Sequence, residues 1–203
     1  YNPVHNHYVS TKLARFFLEG HDKAYDAWWN EGAVRYFDHQ HTIIRNPEDS
    51  EPFSDVHLMY EEGAKFDPEN PRNPEYLNNN WGYLNPPIVL KNGDIAVPVS
   101  MPVRKACEKM GLDVNEVFPS SPDWCFAVMV ARGKYNPEKK EYEFTFSNLV
   151  ILNDLQSSRG IDEPVLAELE NGRIILVMRS SNVSRSVWNT RIEPNSPCFK
   201  WYS

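Results

Sequence analysis

The sequence predicts an all-β protein, a β-propeller of four-stranded antiparallel blades with one inserted short helix, of which this chain forms a part. The first observation is that apolar runs flank Asn-Gly dipeptides, the strongest short signal for a β-hairpin. The second is that this hairpin unit occurs twice, with Gly93 and Gly172 lying 79 residues apart. The third is that the strands predicted between the two copies complete four antiparallel strands per repeat, which is a propeller blade.

The composition indicates one globular, loop-rich domain over residues 1–203, with 13% aromatic residues, 24% charged residues and 16 prolines. A net charge of −7, with no basic cluster, argues against nucleic acid as a partner. No apolar run approaches the roughly 20 residues that a membrane-spanning helix needs. Cys107, Cys125 and Cys198 lack metal-binding spacing, and their odd number leaves at least one outside any disulfide within the chain.

The N-terminal region carries two different periodicities. Ser10 or Thr11 is a suitable N-cap for a helix over Lys12–Glu19, and a loop with aromatic anchors is the alternative. Val34–Ile44 alternates as a strand does, and a second, shorter strand is expected over Asp55–Met59.

The strand over residues 34–44 carries candidate catalytic and binding residues. Alternation places His39 and His41 on one face and Asp38 on the other. Histidines that share a face bind metal ions or exchange protons. No third ligand lies at a convincing spacing, so we expect no metal site and no cofactor. In the competing interpretation, hydrogen bonds satisfy both histidines in the wall of a site.

A long loop over residues 66–87, rich in proline and asparagine, ends in a segment that suits sugar binding. Asn80, Trp81 and Tyr83 combine an amide, which donates and accepts hydrogen bonds, with flat rings that pack on sugar faces. We therefore name these three residues as candidates for substrate binding. A surface loop that satisfies its own amides is the alternative.

The first repeat begins with a hairpin over Pro87–Val99, around Asn92-Gly93. The elements predicted after this hairpin are a helix over Arg104–Val117, a strand over Cys125–Arg132, a turn over Asn136–Lys140 and a strand over Tyr142–Phe146. The inner strands are the most apolar and the outermost strand is the most polar, as radial packing of a blade requires.

The second repeat, residues 161–181, is the most regular hairpin signal in the chain. A two-residue loop of Asn171 and Gly172 pairs Glu170 with Arg173. Both strands are apolar on both faces, so we expect the hairpin to be buried on both sides, between other layers.

The same register brings two opposite charges together at the open end of this hairpin. Counting outward from the turn, Pro164 faces Arg179 and Glu163 faces Ser180. Glu163 and Arg179 therefore lie within about one residue step of each other. Such a couple is either a structural ion pair or part of an anion-binding, acid–base site.

The order of residues in the second hairpin is also a family pattern: a glutamate opens an inner strand, then come an apolar run, a leucine, a turn glycine and an arginine. It is carried by Glu163-Pro164-Val165, Glu168-Leu169, Asn171-Gly172-Arg173 and Met178-Arg179-Ser180. In this pattern the chain resembles the sialidase superfamily of six-bladed β-propellers, and residues 80–98 resemble it more weakly. The sequence has neither the Arg-Ile-Pro motif nor the Ser-x-Asp-x-Gly-x-Thr-Trp box of that family.

The resemblance implies a sialidase-like glycoside hydrolase that acts on acidic glycans. Glu163 matches the glutamate that assists a nucleophilic tyrosine, and that tyrosine would lie on a later blade, outside this chain. Arg179 matches one arginine of the triad that clamps the substrate carboxylate. Asp38 is the candidate for the catalytic aspartate. We expect a secreted or periplasmic protein.

Two other functions stay open. One is a non-catalytic propeller whose loops bind glycan or protein. The other is a polysaccharide lyase, in which His39 or His41 acts with a tyrosine to abstract a proton beside a uronate carboxylate. In each case the doubly apolar hairpin needs a neighbour on its second side, so we expect a second chain or a continuation of the sequence to complete the propeller.

Overall fold

A computed structural model of the chain describes residues 1–17, 36–58, 67, 69–70, 73, 83–84, 86–119, 125–153, 155–158 and 160–180, without the side chains of 13–17, 36–40 and 83–84. The strands are β1 (Tyr8–Phe17), β2 (Tyr36–Arg45), β3 (Ser54–His57), β4 (Tyr83–Leu84), β5 (Ile88–Val89), β6 (Ile95–Pro102), β7 (Phe126–Asn136), β8 (Glu141–Phe146), β9 (Ile161–Glu168) and β10 (Ile174–Ser180). The helices are α1 (Val103–Met110) and α2 (Val114–Val117).

The described strands form two sheets and a hairpin. A three-stranded sheet has the order β1-β2-β3, and a five-stranded sheet has the order β4-β6-β7-β8 with β5 beside β6. The third unit is the hairpin of β9 and β10. Neighbouring strands run antiparallel throughout. The prediction of an all-β protein with antiparallel sheets is therefore confirmed.

The five-stranded sheet lies between the other two units, because alternation along β6 and β7 gives it two apolar faces. One face packs on the three-stranded sheet through a buried cluster that contains Val97, Val99, Met129, Ile44 and Leu58. The other face packs on the β9–β10 hairpin through a cluster that contains Ala96, Val128, Val130, Leu166 and Leu176. Three layers therefore follow one another in chain order.

The helix predicted over Lys12–Glu19 is wrong, because residues 8–17 form strand β1. This strand pairs with β2 from Tyr8 opposite Arg45 to Phe17 opposite Tyr36. The N-cap signal at Ser10 reflects only the local preference of these residues for a helix. A ladder of antiparallel hydrogen bonds with a distant strand outweighs that preference.

The elements predicted for the first repeat are confirmed, with shifted boundaries. The predicted helix divides into α1 and α2, and α1 ends at Gly111, which adopts a φ of 67° and donates its N–H to the last carbonyls. The strand predicted over Cys125–Arg132 is β7, which runs on to Asn136. The predicted turn joins β7 to β8.

The turn of the second repeat is a three-residue loop, so the predicted two-residue loop is wrong. The Leu169 N–H donates to the Arg173 carbonyl at 2.7 Å, and the Gly172 N–H donates to the Leu169 carbonyl at 3.0 Å. Gly172 has a φ of 77°, whereas Asn171 is not among the residues with positive φ. This is a type I turn followed by a left-handed glycine, which demands positive φ at one residue instead of two.

The turn of the first repeat has the same geometry. The Leu90 N–H donates to the Asp94 carbonyl at 2.8 Å, and the Gly93 N–H donates to the Leu90 carbonyl at 2.9 Å. Gly93 has a φ of 88°. The repeat seen in the sequence is therefore also a repeat of backbone conformation.

Lys91 joins the two repeated turns. Its backbone N–H donates to a carboxylate oxygen of Glu168 at 2.8 Å. Its Nζ donates to the carbonyls of Leu169 at 3.0 Å and Glu170 at 2.8 Å. The turns of successive layers thus lie side by side, at the same end of the stack.

The N-terminal residues cap the first turn through a buried hydrogen-bond network. Asn2 Nδ2 donates to the Gly93 carbonyl at 2.7 Å and to the Tyr142 hydroxyl oxygen at 2.8 Å. The Tyr142 hydroxyl lies 2.7 Å from Nε2 of His7, to which it donates when the ring is neutral. Burial lowers the pKa of His7 to about 4, and His5 and the N-terminal amine add to this effect. Burial raises the pKa of Tyr142 to about 12.

The low pKa of His7 predicts acid destabilisation. The unfolded chain, with an ordinary histidine pKa of about 6.5, binds more protons than the folded chain between pH 6.5 and pH 4. Full stability is therefore expected above pH 6.5, and a loss of roughly 3 kcal/mol is expected as the pH falls to 4. Urea unfolding at a series of pH values measures this loss. The variant H7Q is the control, since its stability should depend less steeply on pH in this range.

The β9–β10 hairpin is buried on one face only in the described structure, and the other apolar face is the one for which a second chain or a continuation of the sequence is expected as a neighbour. Leu166 and Leu176 point into the stack, whereas Val165, Ile175 and Val177 are 53%, 40% and 59% exposed. The apolar runs in the sequence define two faces that are fit for burial. Which face is covered depends on the layers that pack against it.

Candidate functional site

The acidic start of β9 meets the end of β10 in an ion pair. Arg179 Nη1 lies 3.0 Å from Glu163 Oε1, and the two side chains are 48% and 44% exposed. Arg179 Nη2 lies 3.9 Å from Asp162 Oδ2. The expected closeness of Glu163 and Arg179 is confirmed, although their register differs from the predicted one. Arg179 is opposite Asp162, and Ser180 is opposite Ile161.

A β-bulge produces this register. The pairing shifts between Val177 and Arg179, so that Glu163 and Pro164 of β9 lie opposite Met178 of β10. Glu163 has a φ of 48°, in the left-handed region that disfavours side chains with a Cβ atom. Bulges are over-represented next to active sites, where they redirect a side chain. Here the bulge turns the Glu163 side chain out of the regular alternation.

The ion pair has the chemical groups of a carboxylate-binding, proton-accepting site. The guanidinium of Arg179 has five N–H donors, and Glu163 and Asp162 contact two of its nitrogens. Half of the Arg179 side chain faces solvent and is accessible to an anionic ligand. As a purely structural contact, an ion pair this exposed contributes only about 0–1 kcal/mol to stability. This stabilisation is smaller than the conformational cost of the left-handed backbone at Glu163, which is about 1–3 kcal/mol.

A second group of ionisable side chains lies on β2 and β3. His41 Nδ1 is 2.9 Å from Asp55 Oδ1, and His41 is 7% exposed. His57 is directly opposite His41 in the strand register, and their ring centres are 3.7 Å apart. This sheet and the β9–β10 hairpin pack on opposite faces of the five-stranded sheet. His41 therefore belongs to a different layer from Glu163 and Arg179.

Other predicted site residues fall wholly or partly outside the described residues. The backbone of Asp38 and His39 lies on β2, opposite Arg15 and Ala14. The backbone of Tyr83 lies on β4, opposite Ser100. The side chains of these three candidates are not described, and Asn80 and Trp81 lie outside the described residues altogether.

The sequence interpretation missed Asp55 and His57 as partners of His41. The signal was present, because a short strand holding His57 was predicted after the strand that holds His41. Antiparallel pairing of two strands close in sequence places such residues side by side. The exact register was needed to see which ones meet.

Three further findings concern the described part of the chain. Its residues contain no group of three or more His, Cys, Asp or Glu arranged to hold a metal ion. Its helices include none with the length and apolar character needed to cross a membrane. Cys107 and Cys125 are buried and are not in disulfides, and Cys198 lies outside the described residues.

Comparisons with known proteins identify no relatives. No family model matches the chain, and no curated protein or solved structure matches it.

Proposed function

We propose that this chain is part of a sialidase-like β-propeller glycoside hydrolase that acts on acidic glycans. The propeller is supported by the order of the layers, since three antiparallel units stack face to face in chain order. It is also supported by the repeated turns, which Lys91 holds side by side. Successive blades of a propeller have both properties.

The observation that carries the functional proposal is the Glu163–Arg179 pair on its strained bulge. Arg179 recognises the carboxylate of an acidic sugar, because its planar guanidinium matches a carboxylate in two parallel hydrogen bonds. Glu163 accepts a proton from a tyrosine nucleophile on a later blade, as the sialidase resemblance implies.

The experiment that tests carboxylate recognition compares a free sialic acid with its methyl ester by calorimetric titration. We expect the acid to bind and the ester to bind at least about 100-fold more weakly, since the ester cannot form a charge-assisted pair. The variant R179M should lose binding of the acid to the same extent. R179K should recover only part of it, because an ammonium group lacks the planar fork.

The control variant is K139M. Lys139 forms an exposed ion pair with Glu143 at 2.8 Å on the β7–β8 hairpin, so K139M removes one positive charge of similar exposure away from Arg179. Binding should be unchanged in K139M. Equal binding of acid and ester, or equal losses in R179M and K139M, would contradict the proposal and leave the pair with a structural role.

A separate measurement distinguishes an enzyme from a binding module. With a fluorogenic sialoside, E163Q should lose hydrolysis while still binding the free acid, because the amide keeps the size of the side chain but accepts protons poorly. The assay uses protein that includes the blade with the tyrosine, and binding with no hydrolysis in that protein would instead favour the non-catalytic glycan-binding propeller.

A further inference from the structure

Asp162, the residue before Glu163 on β9, contacts both members of the ion pair. Its Oδ1 accepts a hydrogen bond from the backbone N–H of Glu163 at 2.8 Å, and its Oδ2 lies 3.9 Å from Arg179 Nη2. The Asp162 side chain is 16% exposed, against 44% for Glu163 and 48% for Arg179. The least exposed side chain of the three is therefore the one that contacts the other two.

The hydrogen bond from Glu163 acts on the backbone of the β-bulge. The pairing of β9 with β10 shifts between Val177 and Arg179, and Glu163 has a φ of 48°. The extra residue of a bulge has no regular partner in the ladder of strand hydrogen bonds. An aspartate side chain can replace that partner by accepting from a neighbouring backbone N–H. Asp162 thereby stabilises the left-handed conformation that directs the Glu163 side chain.

The contact with Arg179 acts on the guanidinium group. Asp162 is directly opposite Arg179 in the strand register, and such pairs lie side by side on one face of a sheet. Asp162 approaches Nη2 of Arg179, while Glu163 Oε1 approaches Nη1 at 3.0 Å. Because the guanidinium is planar, carboxylates at two of its nitrogens restrict both its position and its rotation. Arg179 is therefore held in one orientation before any ligand arrives.

We propose that Asp162 is a positioning residue for carboxylate recognition, which holds Arg179 and the bulge at Glu163 in the arrangement that receives an acidic sugar. This inference rests on the proposed function and adds to it a residue that acts through Arg179 without touching the sugar. Recognition in two parallel hydrogen bonds depends on the orientation of the guanidinium. A side chain that is held in its binding orientation loses less freedom when the ligand binds.

Asp162 also has an opposite effect on an anionic ligand, so the sign of the measured change is informative. A carboxylate about 6 Å from the ligand carboxylate repels it, which lowers the affinity about threefold in water. We expect positioning to be the larger effect, because the geometry of a binding group depends on the residues that support it. Removal of the Asp162 charge should therefore weaken binding of the acid, whereas charge repulsion alone would make it stronger.

The experiment compares D162N with D162A by calorimetric titration with a free sialic acid and its methyl ester. Asparagine keeps one oxygen that can accept the N–H of Glu163, but it lacks the second carboxylate oxygen that faces Arg179. We expect the affinity for the acid to fall about 10-fold in D162N and further in D162A, with the affinity for the ester unchanged. A stronger or unchanged affinity for the acid in D162N would overturn the proposal.

A second measurement needs no ligand. In ¹⁵N NMR spectra, the side-chain signal of Arg179 is assigned by its loss in R179M. Rotation of the guanidinium should be faster in both Asp162 variants, whereas hydrogen exchange at the Glu163 amide should be faster in D162A alone. Unchanged rotation in D162N would contradict the positioning role. If the unsubstituted protein fails to prefer the acid, the proposed function itself fails. A preference that R179M abolishes and D162N leaves intact refutes only the role of Asp162.

The control variant is D113N. Asp113 Oδ1 also accepts a backbone N–H, that of Asn115 at 2.9 Å, at the start of α2. D113N therefore removes one carboxylate with a similar local role, in a different part of the chain. It should change neither the affinity for the acid nor the rotation of Arg179. Unfolding curves show whether each variant is folded, and a loss of affinity in D113N equal to that in D162N would contradict the proposal.

Discussion

Replacing Gly160 with alanine is expected to destabilise the protein by more than about 3 kcal/mol. A Cβ atom at this position would lie 2.2 Å from the Phe126 carbonyl oxygen and 2.9 Å from the Phe126 nitrogen, and Gly160 has a φ of 71°. Both clashing atoms belong to the backbone where β7 begins, so no side-chain rotation relieves them. Chemical denaturation of G160A measures the loss.

The matched control is G172A. Gly172 has a similar φ of 77°, but a Cβ atom there would meet nothing within 4 Å. Only the left-handed backbone then disfavours alanine, at about 1–2 kcal/mol. Equal losses in G160A and G172A would show that the contact with Phe126 is not tight. Gly160 directly precedes β9, so G160A should also weaken binding of acidic sugars at Glu163 and Arg179.

Replacing Asn2 with alanine is expected to cost about 2–4 kcal/mol, because two buried hydrogen bonds are lost at once. The Gly93 carbonyl and the Tyr142 hydroxyl both lose the donor Nδ2 of Asn2, which is fully buried. The N-terminal residues should then separate from the first turn. Thermal unfolding of N2A, together with hydrogen exchange at residues 90–94, detects both effects.

The control for this variant is N136A. Asn136 also makes several hydrogen bonds, accepting from the N–H groups of Glu138 and Lys139 at 3.0 and 3.2 Å, but these lie at the surface of a turn. Water replaces such bonds, so a loss within about 1 kcal/mol is expected. If N2A costs no more than N136A, the N-terminal network does not stabilise the fold.

Alternation and turn chemistry made the antiparallel strands predictable. A period of two along β2 and β8, and glycine at positions that need positive φ, are properties of short segments. The closeness of Glu163 and Arg179 is predictable for the same reason, since both lie at the open end of one hairpin. The predicted register differs from the observed one by only two residues at that end. The exact register was not predictable, because it depends on the loop type and on a bulge.

Helix and strand could not be distinguished for residues 8–17 from local signals. Their strand partner, β2, begins at Tyr36, and the energy of that pairing is absent from any short window of sequence. The group of His41, Asp55 and His57 depends on pairing in the same way. Alternation along β2 indicates only the pair of His39 and His41, whereas pairing of β2 with β3 adds Asp55 and His57.

By itself, the sequence determined the antiparallel strands, the duplicated glycine turns and the meeting of Glu163 with Arg179, because each depends on residues within one strand or hairpin. Only the tertiary structure decided that residues 8–17 are a strand, that Nε2 of His41 is buried, and that one face of the β9–β10 hairpin is covered while Val177 on the other is exposed. These outcomes depend on contacts between distant segments, whose free energy adds to local preference and outweighs it.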